Sequence, residues 1–273
     1  MTTLLGLFVF VLGLIIGSFL NVVGLRYNTG MGIKGRSKCF SCSKTLQWLE
    51  LIPLASFLIQ RGKCKSCSCK ISWQYPLIEA LTGFLFVIIT FAYVPTDLPS
   101  AALLVAHLVV ACLLVVILIY DSKHKIIPDP LVYTFIIITG IMLFIGGGNG
   151  FQMPQLSAIL AGPALFVPFA LIWLLSRGRA MGFGDAKLAW GIGWALGLAQ
   201  GISAIVFAFW IGAAVGIAKI IYDRARTSGK PHITMKSEIP FAPFLILGMY
   251  IALWIGADIY HVDFFVDALL NMR

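Results

Sequence analysis

A carboxylate at the edge of a long apolar run is costly unless it is paired, wetted or used. This chain places three there: Asp121 ends the run LLVVILIYD, Asp129 precedes Pro130 and another apolar stretch, and Asp185 stands in MGFGDAKL, residues 181–188. Asp129 followed by proline has the pattern of a helix N-cap with Pro at the first helical position, and capping accounts for it. Asp121 falls near a helix C-terminus, where the dipole disfavours negative charge. Its simplest structural account is an interfacial residue neutralised by Lys123, His124 or Lys125. Asp185 follows Gly182 and Gly184, which permit backbone conformations closed to other residues and close approach of another chain; a helix N-cap after a tight turn is the alternative. Together, Asp121 and Asp185 are two carboxylates from distant runs. Held a few ångströms apart they cannot both ionise, so one stays a base that activates water and the other an acid that polarises a carbonyl. Lys187 beside them can orient an acidic group, although a lysine snorkelling to the interface explains it more simply.

The second reactive set is sulfur. Cys39 with Cys42, and Cys64 with Cys67, form two C-x-x-C pairs separated by 21 intervening residues, close to zinc-ribbon spacing, each in a Lys- and Ser-rich knuckle. In a reducing compartment, thiolate ligation of Zn²⁺ is favoured over disulfides. Four thiolates leave no open coordination position, so such an ion is structural and ties together a segment that has little core of its own. Cys69, in CKSCSC, offers an alternative ligand, and Cys112 in an apolar run is most simply a small core residue.

What must position these groups is set by composition. Of the 273 residues, 60% are hydrophobic and only 11% charged, and the mean hydropathy is +0.96; no soluble core absorbs that much apolar surface. The expected fold is an all-α polytopic membrane protein. Apolar runs near 3–25, 77–94, 100–120, 131–147, 155–175, 186–199, 201–221 and 240–258 suggest eight transmembrane helices, the sixth and seventh parted only by Ala199 and Gln200. The first run is long enough to span and has neither a basic flank before it nor a small-residue cleavage site, so it reads as a retained helix. The expected organisation is a transmembrane helix over 1–26, a cytoplasmic zinc-binding module over 27–75, a seven-helix catalytic domain over 76–258 and an external tail over 259–273.

With the N-terminus outside, the segments 26–75, 121–130, 176–187 and 219–238 lie inside and hold every Lys and Arg except Arg273, which is what the positive-inside rule requires. The net charge of +9 is then explained by topology and by affinity for anionic lipid, without nucleic acid. The inner loop 222–239 has the mixed polar composition of an exposed segment.

The motifs GSFLNVV (17–23), WLELIPLASFLIQRGKC between the knuckles, ISWQYPLIEALTG (71–83), YDSKHKIIPD (120–129) and GFGDAKL (182–188) occur in the order found in type IV prepilin leader peptidases, and the chain resembles that family over nearly its whole length. The resemblance implies an inner-membrane aspartic endopeptidase of the G-x-G-D class that cuts the basic leader of prepilins and pseudopilins after a glycine, at the cytoplasmic face, for type IV pili or type II secretion. It implies Asp121 and Asp185 as the catalytic pair. The cysteine-bearing loop implies a second activity, N-methylation of the new terminus from S-adenosylmethionine, with peptidase activity alone as the alternative; no Gly-rich methyl-donor motif marks a cofactor site. The chain departs from the family pattern after NVVGLR, where YNTGMGIKGRS replaces the usual Leu-Pro, and in having Cys69.

Two other classes compete. A transporter with inner-face aspartates predicts ionisable residues along a path through the spans, yet only His107 lies deep. A membrane adaptor using its zinc module for contacts leaves Asp121 and Asp185 unexplained.

Overall fold

The computed structural model describes residues 2–30, 35–39, 41–146, 150–226 and 239–256. The tail expected over 259–273, and most of the inner loop expected over 222–239, lie outside them. The described chain is helical: α1 (Thr2–Arg26), a short α2 (Ala55–Ile59), α3 (Gln74–Ala92), α4 (Leu98–His124), α5 (Asp129–Met142), α6 (Leu156–Ser176), α7 (Phe183–Arg226) and α8 (Ala242–Ile255). One antiparallel pair, β1 (Ile145–Gly146) with β2 (Gly150–Phe151), follows α5. Helices satisfy their own backbone groups, which hydrocarbon demands.

α1, α3, α4, α6 and α7 are long and apolar enough to cross a membrane. α5 and α8 are apolar but have 14 residues each, and at about 1.5 Å per residue such a helix rises about 21 Å, short of a hydrocarbon core of about 30 Å. Among the described residues five helices thus meet the length for a span, with α7 counted as one; the apolar runs suggested eight. The break expected at Ala199–Gln200 falls at Gly197 instead. Its φ of 78° and ψ of 179° lie in a region only glycine occupies comfortably, and they divide the 44-residue α7 into two arms.

The chain separates into two compact units, one ending at Tyr120 and the other beginning at Asp121, a boundary that falls inside α4. In the first unit, α1 and α3 meet along small residues: a Cβ on Gly13 would lie 2.7 Å from Gly83 Cα, and one on Gly17 2.9 Å from Thr82 Cβ. Such seams let helix backbones approach where no hydrophobic force drives association. In the second unit α7 packs on α5, α6 and α8. A Cβ on Gly193 would lie 2.5 Å from the Ala161 carbonyl oxygen, and Gly191 and Gly248 abut the Phe135 ring and the Ala204 carbonyl. Side chains distribute as in lipid: Leu4 and Phe8 on α1 point outward, while Asn21, Thr82, Thr139 and Ser203 are fully buried. The last three return their hydroxyls to carbonyls of their own helices.

Candidate active site and metal centre

Asp121 lies in the last turn of α4, which ends where Lys125 takes φ 55° and donates its N–H to the Asp121 carbonyl at 2.8 Å. Asp185 lies in the first turn of α7. Both are buried, with 4% and 8% of their surface exposed, and the Asp121 carboxylate acts electrostatically on Asp185. Two helix ends far apart in sequence thus deliver the carboxyls to one neighbourhood inside the second unit.

Each carboxyl is held at the start of a helix. Asp185 accepts the backbone N–H of Gly182, the residue before α7, in the manner of the acidic member of a capping box. Asp121 accepts the N–H of Ala242, the first residue of α8. Unpaired N–H groups at a helix N-terminus suit a carboxylate. The other Asp121 oxygen, Oδ2, is buried with no hydrogen-bond partner among the described residues. A buried polar atom left in that state calls for a ligand, a proton or a water.

Of the two roles that the sequence offers for the G-x-G-D glycines, an unusual backbone conformation and close approach, the structure shows the second and not the first. Neither Gly182 nor Gly184 has a positive φ, so neither is there for an unusual backbone conformation. Gly184 provides room: a Cβ there would lie 2.8 Å from Ile127 Cβ. The IIPD segment that leaves α4 can therefore rest on the first turn of α7. At Gly182 a Cβ would meet only Asp185 Oδ2, at 3.5 Å.

Asp129 is not the helix cap that its proline suggested. Pro128 occupies the cap position, and Asp129 begins α5 with no capping bond. Its carboxylate instead takes Lys187 Nζ at 2.6 Å. Lys187 is buried, and its ammonium also lies 4.8 Å from the centroid of the Tyr133 ring and 5.2 Å from that of Phe183. The pair fastens the first turn of α5 to that of α7, two residues beyond Asp185. Sequence reasoning found both residues but not their partnership. It missed Ala242 altogether, although Pro240 and Pro243 flank a helix start there.

The cysteine segment folds as two copies of one knuckle, shifted by 25 residues from 38 to 63. Lys38 bridges Thr45 and Lys63 bridges Lys70. The N–H of Cys39 bonds the Lys44 carbonyl and that of Cys64 the Cys69 carbonyl, both at 2.9 Å, while Leu46 to Ser37 and Ile71 to Gly62 repeat at 2.8 Å. Ser43 and Ser68 both turn with positive φ, 56° and 55°. Backbone N–H groups of Cys42 and Ser41 point at the Cys39 sulfur and draw its thiol down to about 6; those of Cys67 and Ser66 lower Cys64 in the same way.

The sulfurs of Cys39, Cys64, Cys67 and Cys69 lie within 4.8 Å of one another, a group that can hold a metal ion. Sγ of Cys39 is 3.8 Å from that of Cys67 and 3.6 Å from that of Cys69. Metal–sulfur bonds of about 2.3 Å in a tetrahedron put sulfurs about 3.8 Å apart, so the thiols fit such an ion. This group differs by one member from the set expected from C-x-x-C spacing. Cys69, in the place of Lys44 in the second knuckle, joins it; exposed Cys42 lies beside Cys39 and Cys67. Nearby, buried Glu50 accepts the Gln47 N–H at 2.8 Å and pairs with Lys44 at 3.6 Å, bracing the first knuckle against the turn at Trp48–Leu51.

Comparison with known proteins adds two family matches: the bacterial peptidase A24 N-terminal domain over residues 11–93 and the type IV leader peptidase family over residues 108–217. Prepilin leader peptidase/N-methyltransferase from Bacillus subtilis is 30% identical over 96% of this chain and 98% of its own length. The proteins of that name from Aeromonas salmonicida and Pseudomonas aeruginosa are 32% and 30% identical over 92% and 91% of this chain, and 91% and 89% of their own lengths. No solved structure matches the chain.

Proposed function

The chain belongs to the type IV leader peptidase family, and from that premise we propose that it is a multi-pass membrane prepilin leader peptidase and N-methyltransferase in which Asp121 and Asp185 carry the cleavage. The observation that carries this reading is the pair of buried carboxyls within electrostatic reach of each other, with Asp121 Oδ2 unpartnered among the described residues. A transporter or an adaptor gives no reason for that arrangement.

With one proton shared between them, the ionised carboxyl takes a proton from a water while the protonated one donates to the scissile carbonyl oxygen. Collapse of the tetrahedral adduct breaks the C–N bond and returns a proton to the leaving amine. The N–H groups of Gly182 and Ala242 fix the carboxyl orientations, and Gly182, with no side chain beside Asp185, leaves room for a substrate backbone. The substrates are prepilins or pseudopilins, cut after the glycine that ends a basic leader. The distribution of Lys and Arg supports an N-terminus outside and a cytoplasmic site.

In the knuckle module Zn²⁺ suits the ligand set, held by Cys39, Cys64 and Cys67 with Cys69 as the fourth thiolate and Cys42 beside them. Its role is to clasp the two knuckles. S-adenosylmethionine, when bound, supplies a methyl group on a sulfonium to the amine that cleavage exposes. The test of the peptidase reading is mass spectrometry of a prepilin co-expressed with Asp185→Asn. Uncut substrate is expected; processing at the wild-type rate overturns the assignment.

A further inference from the structure

The cysteine module carries an apolar surface that neither its metal centre nor the cleavage chemistry uses. Between positions 48 and 59 every exposed residue is apolar: Trp48, Leu49, Leu51, Ile52, Leu58 and Ile59. The acid of this stretch, Glu50, is buried against the first knuckle. The turn at Trp48–Leu51 packs on α2, so these side chains share one small region. Trp48, Leu58 and Ile59 are 71%, 72% and 74% exposed. A cluster of this kind on the outside of a module marks contact with a protein or with a membrane.

Its place in the fold favours the membrane. The N–H of Leu54, just before α2, donates to the Glu79 carboxylate at 2.9 Å, and Glu79 also accepts the Ser18 hydroxyl. The stretch is thus tied to α1 and α3, both long and apolar enough to span. α3 has 19 residues, a rise of about 28 Å against a hydrocarbon core of about 30 Å, so crossing takes its whole length from Gln74. Glu79 stands five residues beyond Gln74, which holds Leu54 about 7.5 Å deeper than the start of the span. Interfacial helices sink by about 5–10 Å.

Trp73, the cap of α3, and Leu77 and Phe84 within it form one exposed stripe at helical spacing. The Trp73 ring packs on that of Phe57 in α2, with centroids 4.8 Å apart. α2 therefore adjoins the face that a span turns to acyl chains. Arg61, Lys63, Lys65 and Lys70, which follow it, are exposed cations suited to anionic headgroups, and tryptophan is the side chain that collects at this boundary.

We propose that residues 48–59 are an interfacial anchor: their exposed side chains enter the leaflet that α3 penetrates at Gln74 and hold the cysteine knuckles at the membrane surface. The partner is lipid, acyl chains with anionic headgroups beside them. This rests on α1 and α3 crossing the bilayer, not on the cleavage chemistry.

The test is photocrosslinking of the full chain in phosphatidylcholine–phosphatidylglycerol nanodiscs, with and without a prepilin. Benzoylphenylalanine replaces Trp48, Leu58 or, as the lipid-facing reference on α3, Phe84. Mass spectrometry then measures lipid adducts. At positions 48 and 58 the yield is expected to come within about threefold of that at 84. A thermal unfolding midpoint equal to wild type shows that a variant has folded, and the two anchor positions substitute for each other if one has not. Yields at 48 and 58 no higher than in unirradiated samples, with position 84 labelled, overturn the anchor. So does a prepilin adduct that replaces the lipid adduct, which would make this face a substrate-docking surface. If position 84 is not labelled either, α3 does not face lipid and the anchor falls with it.

Discussion

In the knuckle module the sulfurs arrive by repetition. One short fold, written twice at a 25-residue shift from 38 to 63, aims backbone N–H groups at Cys39 and again at Cys64. The carboxylate site has no such local plan. Asp121 comes at the end of one helix, Asp185 at the start of another, and a third helix supplies the Ala242 N–H. The two regions therefore fail differently. A knuckle is damaged by changing its own residues; the carboxylate site is also damaged by changing what lets the helix ends approach.

The largest contrast lies among the aspartates. Asp121→Asn should lower prepilin cleavage by about 10³- to 10⁴-fold, the loss of an acid–base group. Asp129→Asn, in the same connecting segment, should stay within about fivefold, because its exposed carboxylate only fastens Lys187. Equal losses in initial-rate assays would mean that the Asp129–Lys187 pair belongs to the chemistry.

Next comes the approach of the helix ends. Gly184→Val introduces a branched side chain where even a Cβ lies 2.8 Å from Ile127. Displacing the α7 start by about 1 Å should cost about 10²-fold in cleavage with little change in KM. Steady-state kinetics at wild-type values would remove this glycine from the positioning of the site.

The cysteine module should respond in metal binding. Cys39→Ser is expected to weaken zinc retention against a chelator by at least about tenfold, and Cys69→Ser to weaken it more than Cys42→Ser. The reverse order, read by elemental analysis, would restore the ligand set that C-x-x-C spacing suggests. The smallest effect is expected for Lys187→Met. Asp129 is 62% exposed at its side chain and rehydrates when its partner is lost, so stability should fall by about 1 kcal/mol or less in a denaturant titration.

Legibility in the sequence follows the same division. The apolar runs, the paired knuckles and the family motifs were readable because each is a local pattern. Asp121 and Asp185 could be nominated from their positions at run ends, but their meeting depends on packing that spacing cannot express. Where local pattern and tertiary partner disagreed, the partner prevailed. Asp129 before proline looks like a cap and is an ion-pair member; of the two roles open to Gly184, backbone freedom and close approach, packing uses the second. Ala242 contributes only its backbone, so no side-chain signal announced it. Cys69 was visible as an extra thiol, and only the fold of the second knuckle turned its sulfur toward Cys39.

The central claim is that Asp121 and Asp185 act as one catalytic unit. A double-mutant cycle on initial rates of prepilin cleavage tests it most directly, comparing Asp121→Asn, Asp185→Asn and the double variant. The expected result is that the double variant loses no more than either single, since each alone disables the unit. Losses that multiply, or a single variant that cleaves at the wild-type rate, would contradict it.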